Sequence, residues 1–157
     1  FIDTFRPARD LPYLSDVARL EWAWQEAYHA VDADPADIQI LADVDADEMD
    51  NVRVTLHPSV RLIRSQWPVV SIWEAHQQDV ADLSAVTALA ENALIVRPRL
   101  AVAVHPLDAG AFDMVGMLAR GEPLDRVIDR LSTHHQNTDF SACLAALFGA
   151  GAVVGIQ

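Results

Sequence analysis

The sequence predicts an α+β fold: a long N-terminal helix, a small antiparallel sheet and a C-terminal, winged-helix-like cluster of three helices. Three observations predict it. Apolar residues recur at helical spacing through the N-terminal region. The period shortens to two at 52–56 and again between 92 and 106. After Asp108, three short helical patterns follow one another, each bounded by its own Asp, Pro or Gly.

The first helix is expected over 12–31. Asp10 precedes it as a candidate cap, and Pro12 suits a first-turn position. Leu14, Leu20, Trp22, Trp24, Ala27 and Tyr28 spread wider than one stripe, which predicts packing on two sides. Residues 32–50 (DADPADIQILADVDADEMD) read as an acidic connector in which Ile38, Ile40 and Leu41 form a candidate helical turn. The opening FIDTFRPARD has no Met and lacks the basic and apolar blocks of a secretory signal. The chain is therefore expected to begin partway into a longer protein. Residues 1–50 would form a helical arm and connector after an N-terminal domain, and 51–157 the α+β domain.

In that second part, Val52, Val54 and Leu56 alternate with Arg53 and Thr55, as in a half-buried strand. His57-Pro58-Ser59 is a turn candidate, and 60–63 a second strand. Helical spacing returns over 69–77. Residues 93–96 and 100–104 read as two further strands joined by Arg97-Pro98-Arg99, where Pro98 marks a tight turn or an edge. Asp108 opens a helix over 109–120 that Gly121 closes, and Pro123 opens a second through Leu131. Asp139 caps a third through Phe148, stopped by Gly149 and Gly151. Residues 152–156 are apolar and extended.

Composition narrows the function. Eleven basic residues, all Arg, against 23 acidic ones leave a net charge of −12. Affinity for nucleic acid comes largely from cationic side chains, so nucleic acid is an unfavoured partner. A single cysteine, Cys143, excludes an internal disulfide and suits a reducing, cytoplasmic compartment. It falls in an apolar helical pattern, which favours a buried thiol over a nucleophile. No stretch approaches the roughly 20 apolar residues of a membrane span. Glu26 and His29, with Glu21 one turn earlier, give a Glu-x-x-His pair, but no second pair completes a di-iron set. His134 and His135 are adjacent and point apart. No Gly-rich phosphate loop, Cys-x-x-Cys or nucleophile elbow occurs. These silences predict no cofactor and no catalysis by this chain alone.

Residues 57–76 concentrate two Trp, two His and two Arg in an otherwise acidic chain. Trp and Arg dominate interface hot spots, so His57, Arg61, Arg64, Trp67 and Trp73 are the candidate partner contacts. On a strand Arg61 and Arg64 would face opposite ways; on a helix they would form one patch.

Ala18-Arg19-Leu20-Glu21-Trp22-Ala23, then Leu56-His57-Pro58-Ser59-Val60-Arg61-Leu62-Ile63-Arg64-Ser65, Ile72-Trp73 and Val96-Arg97-Pro98 resemble the HvfC/BufC family. The resemblance runs over nearly the whole chain, and that family normally carries an N-terminal helical domain. It implies a non-catalytic subunit that docks on a TIM-barrel enzyme of the HvfB/BufB type, which holds a multinuclear iron site. Together such a pair modifies a Cys-containing ribosomal precursor peptide, often giving copper-binding products, in a logic similar to the MbnB–MbnC pair. The iron and the oxidation chemistry would belong to the partner. Residues 121–128 and 144–153 also resemble the second and third helices of PqqD-like peptide-recognition elements. In those, a leader peptide adds a strand beside a three-helix cluster. That mode would use Leu100, Val102 and Val104 on the strand, with Phe140 and Leu144 on the third helix. Arg97 and Arg99 at the turn are candidates for steering an acidic peptide, or simply a solvated hairpin tip. The alternative is a winged-helix DNA-binding transcription regulator, the older description of the family. Its recognition helix would be 140–148, which contains no Arg.

Overall fold

The computed structural model describes residues 10–45, 51–78, 80, 82–84 and 86–157. In chain order the elements are α1 (Leu14–Tyr28), a 3-10 turn (Ile38–Leu41), β1 (Val54–Leu56), β2 (Arg61–Arg64), α2 (Val69–Ala75), β3 (Asn92–Val96), β4 (Ala103–Leu107), α3 (Ala109–Ala119), α4 (Leu124–His134), α5 (Phe140–Gly149) and β5 (Val153–Ile156). This is the α+β composition the sequence predicts. The expected arm and connector extend over 1–9 and 46–50, which lie outside the described residues.

The strands form two antiparallel ladders, β1–β5 and β2–β3–β4. After its first residue β3 is apolar throughout, and a strand of that kind needs cover on both faces. Its alternation supplies two interiors. Leu94 and Val96 point to a core shared with α3, α4, α5 and the β1–β5 pair. Ala93 and Ile95 point the other way, to a core built with Leu20, Ala23 and Ala27 of α1 and Val69 and Val70 at the start of α2. The sheet is thus a middle layer. A fully buried Leu or Ile contributes about 1.5–3 kcal/mol, against about 0.2–1 kcal/mol for an exposed pair such as Arg61–Glu26. Apolar contact therefore decides how the layers are joined.

Three local details were not anticipated from the sequence. Tyr13, not Asp10, stands at the N-cap of α1, and no side chain caps it there. Asp16 in the first turn instead accepts from Ser65 Oγ at 2.6 Å, tying the helix to the end of β2. Pro68 leaves α2 without a side-chain cap of its own. Glu91 supplies one from just before β3, accepting from the amides of Val70 (2.8 Å) and Ser71 (2.9 Å). Third, β4 begins at Ala103, so Leu100 and Val102 precede the strand. Arg97 turns back to the carbonyls of Ala27 and Ala30 at the end of α1 and to that of Arg99. That fold-back consumes the residues expected to open the strand.

The C-terminal region follows the sequence closely. Asp108 caps α3 through the Ala111 amide, and Asp139 caps α5 through that of Ala142. Gly121 and Gly151 take positive φ (70° and 67°) after α3 and α5. At Gly151 a Cβ would also stand 2.4 Å from Pro98 Cβ, so both backbone and space require glycine. Among the described residues no helix is long and apolar enough to cross a membrane.

Candidate functional site

β4 is an edge strand: it pairs with β3 from Ala103↔Val96 to Leu107↔Asn92, and with no other strand among the described residues. The two-residue period splits its side chains. Val102 and Val104 pack toward α1 and α2. Beside the strand, on the side of the three-helix cluster, lies a cleft of about 450 Å3. His105 and Leu107 line it from β4, Met114 from α3, and Cys143, Ala146 and Leu147 from α5. On α5 those three fall at i, i+3 and i+4, one helical face. The cleft is mostly apolar, with His105 and Asp108 as polar groups at its margin. An open edge for main-chain pairing beside an apolar trough is the geometry that strand addition uses.

The elements expected to bind peptide are therefore adjacent, but the side chains differ from those expected. Leu100 is exposed in the connection before β4. Val102 and Val104 face the opposite layer. Leu144 is buried in the core and Phe140 packs against it. The reason is that the sheet is covered on both faces: Val104 pairs opposite Ile95 on the α1–α2 side, while His105 pairs opposite Leu94 on the side of the trough.

Cys143 lies half-buried in this wall. Burial, and then the carboxylates of Asp108 and Asp139, push its thiol above the ordinary value.

The expected partner contacts separate into different places. His57 is buried, at 2% exposure. Its Nε2 lies 3.1 Å from Ala33 O, and its Nδ1 lies 2.7 Å from Ser59 Oγ and accepts from the Ser59 amide. Ser59 Oγ also accepts from the Arg97 amide at 2.7 Å. One assignment satisfies every group: Arg97 N–H donates to Ser59 Oγ, Ser59 O–H to His57 Nδ1, and His57 Nε2–H to Ala33. His57 is thus a joint between the connector and the sheet, with no surface for a partner. Trp67 precedes α2, where its carbonyl accepts from Val69 and Glu91. Arg64 pairs with Asp113 on α3 and lies over the Phe112 ring, 4.6 Å from its centroid.

Arg61 and Trp73 flank α1 from two sides and meet a residue outside the expected set. Trp22 is 69% exposed. It borders a cleft of about 410 Å3 with Trp24 and Trp73, and a groove with Glu26, Arg61 and Ile63. Trp24 stacks on Tyr28, their centroids 5.7 Å apart. The buried stripe of α1 is Leu20, Ala23 and Ala27, and the apolar spread of the helix continues outside it, with Trp22 and Trp24 on either side of the exposed Glu21 and Gln25. The width of that spread was the signal that pointed to the two Trp. Of the Glu-x-x-His set, Glu26 pairs with Arg61 and His29 lies edge-on to Tyr28. No three His, Cys, Asp or Glu side chains gather to hold a metal ion among the described residues.

Compared with family models, curated proteins and solved structures, the chain matches none.

Proposed function

We propose that this chain is a non-catalytic, cytoplasmic adaptor that holds an extended peptide along the open edge of β4 and presents it to a partner enzyme. The observation that carries the proposal is the trough between β4 and α5, an unpaired strand edge backed by apolar side chains. Main-chain hydrogen bonds would fix the peptide, at about 0.5–1.5 kcal/mol net each. Alternate side chains would enter the trough beside Met114, Ala146 and Leu147 and set its preference for small or apolar residues. The aromatic face around Trp22 supports a separate docking surface, because Trp is the residue type that most often anchors interfaces.

The HvfC/BufC resemblance supplies the finer form of this proposal. The partner is a TIM-barrel enzyme with a multinuclear iron site, and the peptide is a Cys-containing ribosomal precursor linked to copper handling. In the DNA-binding alternative α5 would be the recognition helix. Its free face is built of Ser141, Ala142, Ala145 and Ala146, with no cation for phosphate. The peptide reading is the better supported.

Cys143 allows a direct test. Alkylation of this single thiol by a maleimide is followed with and without a precursor peptide whose cysteines are replaced by serine, on the chain co-expressed with its barrel enzyme. The expected result is a stoichiometric complex, iron confined to the barrel protein, and alkylation slowed several-fold by the peptide. Unaltered alkylation at saturating peptide would remove the trough as its site, and separate elution of the two proteins would remove the partner.

A further inference from the structure

Across α3 from the trough lies a second cleft, of about 400 Å3, with the opposite character. Arg64 from the end of β2, Arg120 just after α3, Arg130 and His134 from α4, and His135 just after it surround it, over Gly116 and Met117. The cleft thus gathers three of the chain's 11 arginines in a protein of net charge −12. The carboxylates facing them are Asp113, which pairs with Arg64 and His135, and Glu122, which pairs with Arg120 and, more loosely, with Arg130. Three guanidinium groups thus meet two carboxylates, leaving a positive balance. Arg130 stands 3.7 Å from Glu122, outside hydrogen-bond range, and makes no hydrogen bond among the described residues. Its N–H groups remain available to a ligand.

We infer that this cleft binds a carboxylate-rich segment of a protein or peptide. The guanidinium groups already hold carboxylates of their own chain, so their spacing suits that group. Gly116 has no side chain to fill the floor, and the nearest atom to a Cβ built there is the Arg120 Nη1 at 3.6 Å. Two effects oppose an incoming anion. The C-terminal end of α4 presents a partial negative charge of roughly half a unit, less than the one full charge left over among the cations. The acidic body repels anions from a distance, but beyond about 8 Å at physiological salt that field is largely screened. Duplex nucleic acid would have to lie along the acidic surface well outside the cleft, whereas a short acidic segment need enter only the cleft.

The segment binds whether or not the β4 trough is occupied, because α3 separates the two sites. The test therefore uses a probe that addresses the cleft alone. Fluorescein-labelled hexaglutamate and hexaglutamine are titrated by anisotropy against the full chain at about 0.15 M salt, where the field of the acidic body is screened. Saturable binding is expected for hexaglutamate and not for hexaglutamine, and is lost at about 0.5 M salt. Arg120→Gln with Arg130→Gln should weaken it about fivefold or more, the combined effect of two exposed guanidinium–carboxylate contacts. Arg120→Lys with Arg130→Lys should retain most of it. Both side chains are about 60% exposed, so the double variants keep the fold. Equal binding of the two peptides, or unchanged affinity in the Gln double variant, would overturn the inference. A DNA oligonucleotide displacing hexaglutamate at a tenth of its concentration would overturn it too, as the cleft would then be a phosphate site. An uncharged apolar peptide reads the trough separately, so its failure to bind would count against the adaptor and leave the cleft standing.

Discussion

At the scale of single residues, the joint formed by His57, Ser59 and Arg97 shows what sequence reading resolves and what it misses. The His57-Pro58-Ser59 turn was legible from its composition. That the imidazole turns inward was not, because its partners, Ala33 and the Arg97 amide, are distant in sequence. Ser59 is fully buried, and its hydroxyl bridges two other polar groups. Ser59→Ala leaves the Arg97 amide without its partner and His57 Nδ1 with the residue-59 amide alone, at a cost of about 1–3 kcal/mol. Urea unfolding should show a lower midpoint with an unchanged slope. The Cys143 thiol gives a pH prediction. Alkylation requires the thiolate, and burial beside Asp108 and Asp139 holds the folded-state pKa above its ordinary value of 9.0. The rate should keep climbing through pH 9 without levelling; a plateau at or below pH 8 would contradict the placement of this side chain.

At the scale of elements, what was legible was order, type and most boundaries, since each depends on periodicity and on local punctuation by Asp, Pro and Gly. The caps of α3 and α5 are local, and they were readable. The cap of α2 is Glu91, which arrives from twenty residues away and carries no local signature. The trough was half legible. Its two walls, a strand and the third helix, were anticipated, but not which face of the strand borders it. The two sets of side chains alternate and both are covered, so choosing the wrong face misassigns every one of them. Ala146 is the clearest test of the corrected walls. It is exposed on α5 and points into the trough, so Ala146→Arg should fill the cleft without disturbing the core. Peptide protection of Cys143 should disappear while the thermal midpoint stays within a few degrees of wild type, as is usual for a surface substitution.

At the scale of the whole molecule, the unit of folding is set by β3. Because both cores use its alternate residues, neither layer keeps its buried face when the other opens. Trp22, Trp24, Trp67 and Trp73 all belong to α1, α2 or the approach to α2, whereas most of the helix content on the other face lies in α3, α4 and α5. Tryptophan fluorescence therefore reports on the α1–α2 layer, and far-ultraviolet circular dichroism on the helices of both layers. Their urea transitions should coincide; a fluorescence change that precedes the dichroism would mean that α1 and α2 come away as a separate unit. This shared middle layer was not legible in the sequence, where the first helix read as an arm. Periodicity shows that a face is apolar but not which surface covers it.

Pro106 gives the open edge a further consequence. It lies within β4 opposite Ala93, and proline is accommodated in a sheet where its nitrogen faces outward from the ladder. The exposed border thus carries a gap in its row of donors. A visiting strand can engage the border only in part, while stacking of identical copies edge to edge, the route to fibres, meets an interruption in every subunit. The same residue would let the border receive a short guest and resist unlimited self-association.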